Sequence, residues 1–114
     1  MVAFLITPTE VGSWRVDLVA LGAWLASRWP GVVAQGDGRG QQAYLWTWPD
    51  GYEVWVPEDT EVVWAELDPQ RLAAVAGWCA AASPKPLLLT DEGYAQPLML
   101  TSTDEATILA LLSQ

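Results

Sequence analysis

The sequence predicts an α+β fold, with a mainly antiparallel sheet of about five to seven strands and three helices on one face. Three observations carry that expectation. Apolar runs of strand length alternate with stretches whose apolar residues recur at helical spacing. Residues 42–56 read as a β-hairpin around Asp50-Gly51. Ser13, Asp68 and Ser102 stand where helix N-caps are needed.

Residues 2–6 form a continuous apolar run, as expected of a central strand. After a break at Pro8 to Gly12, Ser13 can cap a helix whose inward stripe is Trp14, Leu18, Leu21 and Leu25, and which Trp29-Pro30-Gly31 ends. A short strand is predicted over 32–35, a flexible turn over 36–40, the hairpin next, and a further strand over 61–67. Asp68-Pro69 supplies an N-cap and a first-turn proline for a second helix, with Leu72, Val75, Ala76 and Cys79 on one face, ended by Ser83-Pro84-Lys85-Pro86. Residues 87–89 and 97–100 are strand candidates. Ser102 and Glu105 have the spacing of a capping box for a last helix, with Ile108, Leu109 and Leu112 facing inward. The resulting order is β-α-β-β-β-β-α-β-β-α. A ferredoxin-like core with extra strands is one arrangement of these elements.

The length of 114 residues and a hydrophobic share of 52% suit one compact domain over 1–114, without internal repeats or linkers. Cys79 is the only cysteine, so no disulfide can form within the chain and a reducing compartment is expected. The N-terminal apolar run lacks a basic flank and stops at Thr7-Pro8, which points to a cytoplasmic protein. A net charge of −9 opposes nucleic acid and anionic membranes as partners. The carboxylates are too scattered to mimic a polyanion.

Eight tryptophans and no histidine bias the chain toward binding and away from catalysis. Ser-His and Cys-His nucleophiles are ruled out, and Lys85 is the sole lysine. No cofactor motif or metal-ligand spacing is present. Glu58, Asp59 and Glu61 read as a solvated turn, Asp104-Glu105 as a helix cap, and Asp91-Glu92 as a further solvated pair. Gly36-Asp37-Gly38-Arg39-Gly40 lacks the Gly-Lys-Ser/Thr of a phosphate loop. Cys79 lies on the apolar stripe of the second helix, where a buried, inert thiol is expected.

Taking Asp50-Gly51 as a two-residue turn pairs Trp48 with Glu53, Thr47 with Val54, Trp46 with Trp55 and Leu45 with Val56. One face then carries Tyr44, Trp46, Trp48, Glu53 and Trp55. The other carries Leu45, Thr47, Val54 and Val56. If helices cover the aliphatic face, the aromatic face is an exposed binding surface. If they cover the aromatic face, it is core, and burial in a homodimer is a third outcome. The other tryptophans, including Trp64, read as packing groups.

The expected function is a non-enzymatic interaction module binding a protein partner through Tyr44, Trp46, Trp48, Glu53 and Trp55, with Arg39 as an added contact. A basic protein or a second copy of the chain is among the candidates. Small acidic immunity, antitoxin or adaptor proteins have this general character. The alternatives are a small-ligand domain with an aromatic-lined pocket and, behind it, a carboxylate acid/base enzyme using Tyr44, Tyr52 or Tyr94.

Overall fold

The computed structural model describes residues 3–10, 12–35, 43–57, 59–91 and 97–112. Along the chain these form β1 (Phe4–Pro8), α1 (Leu18–Arg28), β2 (Val33–Ala34), β3 (Ala43–Thr47), β4 (Glu53–Pro57), β5 (Val63–Glu66), α2 (Pro69–Ala82), β6 (Leu87–Asp91), β7 (Leu98–Leu100) and α3 (Glu105–Leu112). The element order is the one the sequence predicts. The seven strands make one sheet in the order β2-β3-β4-β5-β1-β6-β7, with every neighbouring pair antiparallel.

β1 is central, flanked by β5 and β6, and α2 crosses over it to join those two strands. Read from β6 through β1 and β5 to β4, the strands follow a ferredoxin-like order. The first crossover differs. α1 delivers the chain to the edge strand β2, and β2 to β5 return as a meander.

Alternation along the strands decides which side chains meet the helices. Ile6, Val54, Val56, Val63, Ala65, Leu87 and Leu89 share one face of the sheet. They belong to one buried cluster with Leu21 and Leu25 of α1, Leu72, Val75, Ala76 and Cys79 of α2, and Ile108 of α3. All three helices therefore contribute to the core on that side.

The second helix starts where its sequence says. The Asp68 carboxylate accepts a hydrogen bond from the Arg71 N–H (3.2 Å), Pro69 occupies the first turn, and Ser83 closes the other end. The first helix starts later than expected. Asp17, not Ser13, is its N-cap, accepting from the Ala20 N–H at 3.0 Å. Ser13 instead donates its hydroxyl to the Glu10 carbonyl (2.7 Å), and Val16 N–H donates to the Thr60 carbonyl (2.8 Å). That long-range bond holds residues 14–17 outside the helix, with Trp14 buried in the core all the same. In α3 the cap is Asp104, whose carboxylate accepts from Thr107 N–H (3.0 Å), while Ser102 accepts from Asp104 N–H. The capping-box reading thus placed the cap two residues early.

Thr60 sits in the β4–β5 connection at φ 58, a left-handed conformation costly for a β-branched residue. Its carbonyl is the one that receives Val16 N–H, so the strained turn is also the anchor for the segment entering α1.

Candidate interaction face

The β3–β4 hairpin turns through three residues, not two. Gly51 N–H donates to the Trp48 carbonyl (3.0 Å), and Trp48 N–H donates to the Tyr52 carbonyl (2.9 Å). Pro49 and Asp50 are the central residues of a turn closed by Gly51 at φ 94, the usual geometry of a three-residue loop ending in a left-handed position. Asp50 does not have the positive φ that a type I′ turn requires.

This corrects the register by one residue. Thr47 pairs with Glu53, Trp46 with Val54, Leu45 with Trp55 and Tyr44 with Val56. A one-residue slip reverses one strand's faces relative to its partner, so the five residues predicted to share a surface are divided. Tyr44, Trp46 and Trp48 go to the helix side, whereas Glu53 and Trp55 point to the opposite face with Leu45 and Thr47. Arg39 lies outside the described residues.

On the helix side the tryptophans are structural. Trp46 is 7% exposed and meets α1 at Gly22, where a Cβ would stand 3.4 Å from the indole nitrogen. Trp48 is 5% exposed, and its Nε1–H is buried with no hydrogen-bond partner. Its ring meets Trp29 edge-on at 5.5 Å. Trp29 meets Trp24 at 5.5 Å, and Trp24 stacks on Trp78 at 5.7 Å. This aromatic chain links the hairpin to α1 and α2. Arg71 completes the joint, with its guanidinium 5.5 Å from the Trp48 ring, 5.0 Å from the Tyr52 ring and 2.9 Å from the Asp50 carboxylate. The hydrogen bond from Arg71 holds the Asp50 carboxyl below its ordinary value. Tyr44, at the outer part of this face, remains 41% exposed.

The opposite face mixes apolar side chains with threonines and two glutamates, and none of its described strand residues belongs to the buried cluster. Direct cross-strand partners place Leu45, Trp55, Trp64, Leu5 and Thr90 in one row across β3, β4, β5, β1 and β6. Trp55 and Trp64 are parallel within 2°, with ring centroids 5.6 Å apart, and both are half-buried. A neighbouring row holds Val33, Thr47, Glu53 and Glu66, and another holds Thr7, Leu88 and Met99. Val33 and Met99, on the two edge strands, are 53% and 42% exposed.

Trp64 is the residue sequence reasoning missed. Its signal is the mirror symmetry of Glu53-Val54-Trp55 and Trp64-Ala65-Glu66. In both segments a small aliphatic residue separates a tryptophan from a glutamate. Antiparallel pairing across that aliphatic residue sets tryptophan beside tryptophan and glutamate beside glutamate.

The remaining sites offer less. A recess of about 380 Å³ opens where the C-terminus of α1 meets the N-termini of α2 and α3, lined by Arg28, Trp29, Asp68, Gln70, Arg71, Glu105 and Leu109. Its arginines are committed, Arg28 to Glu105 at 2.8 Å and Arg71 to Asp50. In the acidic turn, Asp59 accepts from the Glu61 N–H and Glu61 faces Arg15 at 3.6 Å, as a solvated turn does. Glu58, Glu92 and Tyr94 lie outside the described residues. Among the described residues no group of three or more His, Cys, Asp or Glu side chains has the spacing of a metal site. Cys79 is fully buried, which pushes its thiol far above the usual range and keeps it protonated. Among the described residues no helix is long and apolar enough to cross a membrane.

The fold and site together define a seven-stranded antiparallel sheet with a helical layer on one side and a tryptophan-centred apolar surface on the other. No protein-family model, curated protein or solved structure matches the chain.

Proposed function

We propose that this chain is a non-enzymatic protein-interaction module that receives a protein partner on the sheet face centred on Trp55 and Trp64. The stacked Trp55–Trp64 pair, in the middle of an apolar row to which no core helix contributes, carries this reading. Aromatic residues dominate interface hot spots because they bury much area while ordering few torsions. The molecule measures 30 × 29 × 27 Å, so one face offers on the order of 800 Å², the share each partner contributes to a standard interface. The buried lone Cys79 suits a reducing compartment such as the cytoplasm.

A small-ligand reading attaches to the recess between the helix ends, whose volume of about 380 Å³ is within the range of ligand pockets. Charged and polar side chains, among them the Arg28–Glu105 ion pair, outnumber Trp29 and Leu109 in its lining, whereas such pockets are usually mostly apolar, so the open face is favoured.

The test compares wild type with a Trp55→Ser/Trp64→Ser variant in pull-downs from lysate of the source cells. The expected outcome is a partner retained by wild type and lost by the variant, while the variant keeps its far-ultraviolet circular dichroism and cooperative unfolding. A partner retained equally by both would remove this face from the function.

A further inference from the structure

Resting on the reading of this face as an interface, we infer that its partner is a second copy of the chain, packed sheet against sheet about a two-fold axis near Trp64. β5 is the fourth of seven strands, so Trp64 stands on the middle strand of the sheet, in the row that runs from Leu45 through Trp55 to Leu5 and Thr90. A two-fold axis through that strand lays one face over the other out to its edges, with every contact made twice.

Shape selects the occupant. Two sheets pack face to face, about 10 Å apart and roughly 30° from alignment, when their twists match. A second copy has the same number of strands, the same width and the same twist by identity. The face offers on the order of 800 Å² per chain, so a symmetric pair buries about 1,600 Å², the size of a stable complex. Leu5 and Leu45 share the row of the two indoles, and Leu88 lies in the row beside it. The glutamates are at the margin, because Glu53 is the first residue of β4 and Glu66 the last of β5. An apolar centre inside a charged rim is how interfaces between proteins are built, and homodimer interfaces are the more apolar class. Glu53 and Trp55 are already engaged within the chain, so neither requires a counter-charge or a polar partner from outside.

Charge sets how the pair responds to salt. Each described cation is engaged by a carboxylate of its own chain: Arg15 by Glu61 (3.6 Å), Arg28 by Glu105 (2.8 Å), Arg71 by Asp50 (2.9 Å) and Lys85 by Glu10 (3.1 Å). Two copies, each of net charge −9, therefore repel at long range. Screening relieves that repulsion, so association between copies tightens as salt rises, whereas binding of a basic protein would loosen.

The test is sedimentation velocity on the full chain from about 1 to 500 µM. Wild type is expected to pass from monomer to dimer with a Kd below about 100 µM, tightening at least about twofold between about 50 and 500 mM salt. Trp64→Glu puts a charge at the centre of the contact and should weaken the dimer at least about tenfold. Thr90→Glu, in the same row on β6, keeps both indoles and should weaken it at least about threefold, so the outcome does not hang on one variant's folding. Val19→Glu, at a position of α1 that is 83% exposed, should leave the dimer unchanged. A wild type that is monomeric throughout, a dimer indifferent to both sheet-face substitutions, a dimer abolished by Val19→Glu, or one that loosens with salt would each overturn the inference. If wild type is monomeric while Trp55→Ser/Trp64→Ser loses a cellular partner, the face is an interface for a different protein and only the second copy is refuted. If that partner is retained as well, both readings fail.

Discussion

The two faces of one hairpin carry similar chemistry and meet opposite fates. Trp46 and Trp48 point toward the helices and are almost fully enclosed, whereas Trp55, on the paired strand, stacks on Trp64 on the side the core does not use. All four are large, apolar and in or beside strands. What separates them is backbone register, because alternation along a strand leaves no freedom once one pair is fixed. The lesson is that a tryptophan count shows how much rigid surface a chain has, not which side of a sheet receives it.

Truncation should expose this difference most strongly. Trp46→Ala leaves a void against Gly22 and α1 and is expected to cost about 3–5 kcal/mol, whereas Trp55→Ala, which loses a half-buried stack, should cost roughly 1–2 kcal/mol. Urea denaturation of both variants checks this, and equal losses would break the distinction between the faces. The turn that sets the register gives the next largest effect. Gly51 adopts φ 94 with nothing within 4 Å of where a Cβ would stand, so Gly51→Ala should cost about 1–2 kcal/mol through the backbone alone. Gly51→Asn should lose less, because asparagine tolerates that conformation. An unchanged urea midpoint for Gly51→Ala would show that the loop takes another form.

The smallest effect concerns the ion pair that fastens the turn to α2. Asp50 titrates below its ordinary value of 3.8 in the folded protein because Arg71 stabilises the carboxylate. A depressed folded value means that its contribution is fully present above 3.8 and is lost as pH falls through the lower folded value. Asp50→Asn should therefore show a shallower loss of stability than wild type on acidification below about pH 4, measured as the urea midpoint against pH. Parallel profiles for the two proteins would mean that the exposed pair is too well screened to matter.

Part of the correct hairpin was legible. Trp48-Pro49-Asp50-Gly51 contains a proline suited to the first central position of a type I turn and a glycine suited to the left-handed position that follows. Reading Asp50-Gly51 alone as the turn overlooked Pro49 and misplaced every side chain of β3 relative to β4. The candidate site was accordingly half legible: Trp55 and Glu53 are on the proposed face, while Tyr44, Trp46 and Trp48 are not. Trp64 went unrecognised because its role depends on a strand partner that the sequence does not identify.

By itself, the sequence determined the order of elements, the cap of α2 at Asp68-Pro69, the buried stripe through Leu72, Val75, Ala76 and Cys79, and the presence of the β3–β4 hairpin. These depend on interactions within a few residues, so side-chain type and spacing suffice to specify them. Only the tertiary structure decided that Trp14 precedes α1, that β1 lies between β5 and β6, and that the helices cover Trp46 rather than Trp55. Each of those outcomes depends on contacts between segments far apart in the chain, such as Val16 with Thr60. A period-two pattern does not say which face of the sheet is covered, so that choice belongs to packing: seating Val54, Val56, Val63 and Ala65 under the helices leaves Trp55 and Trp64 outside.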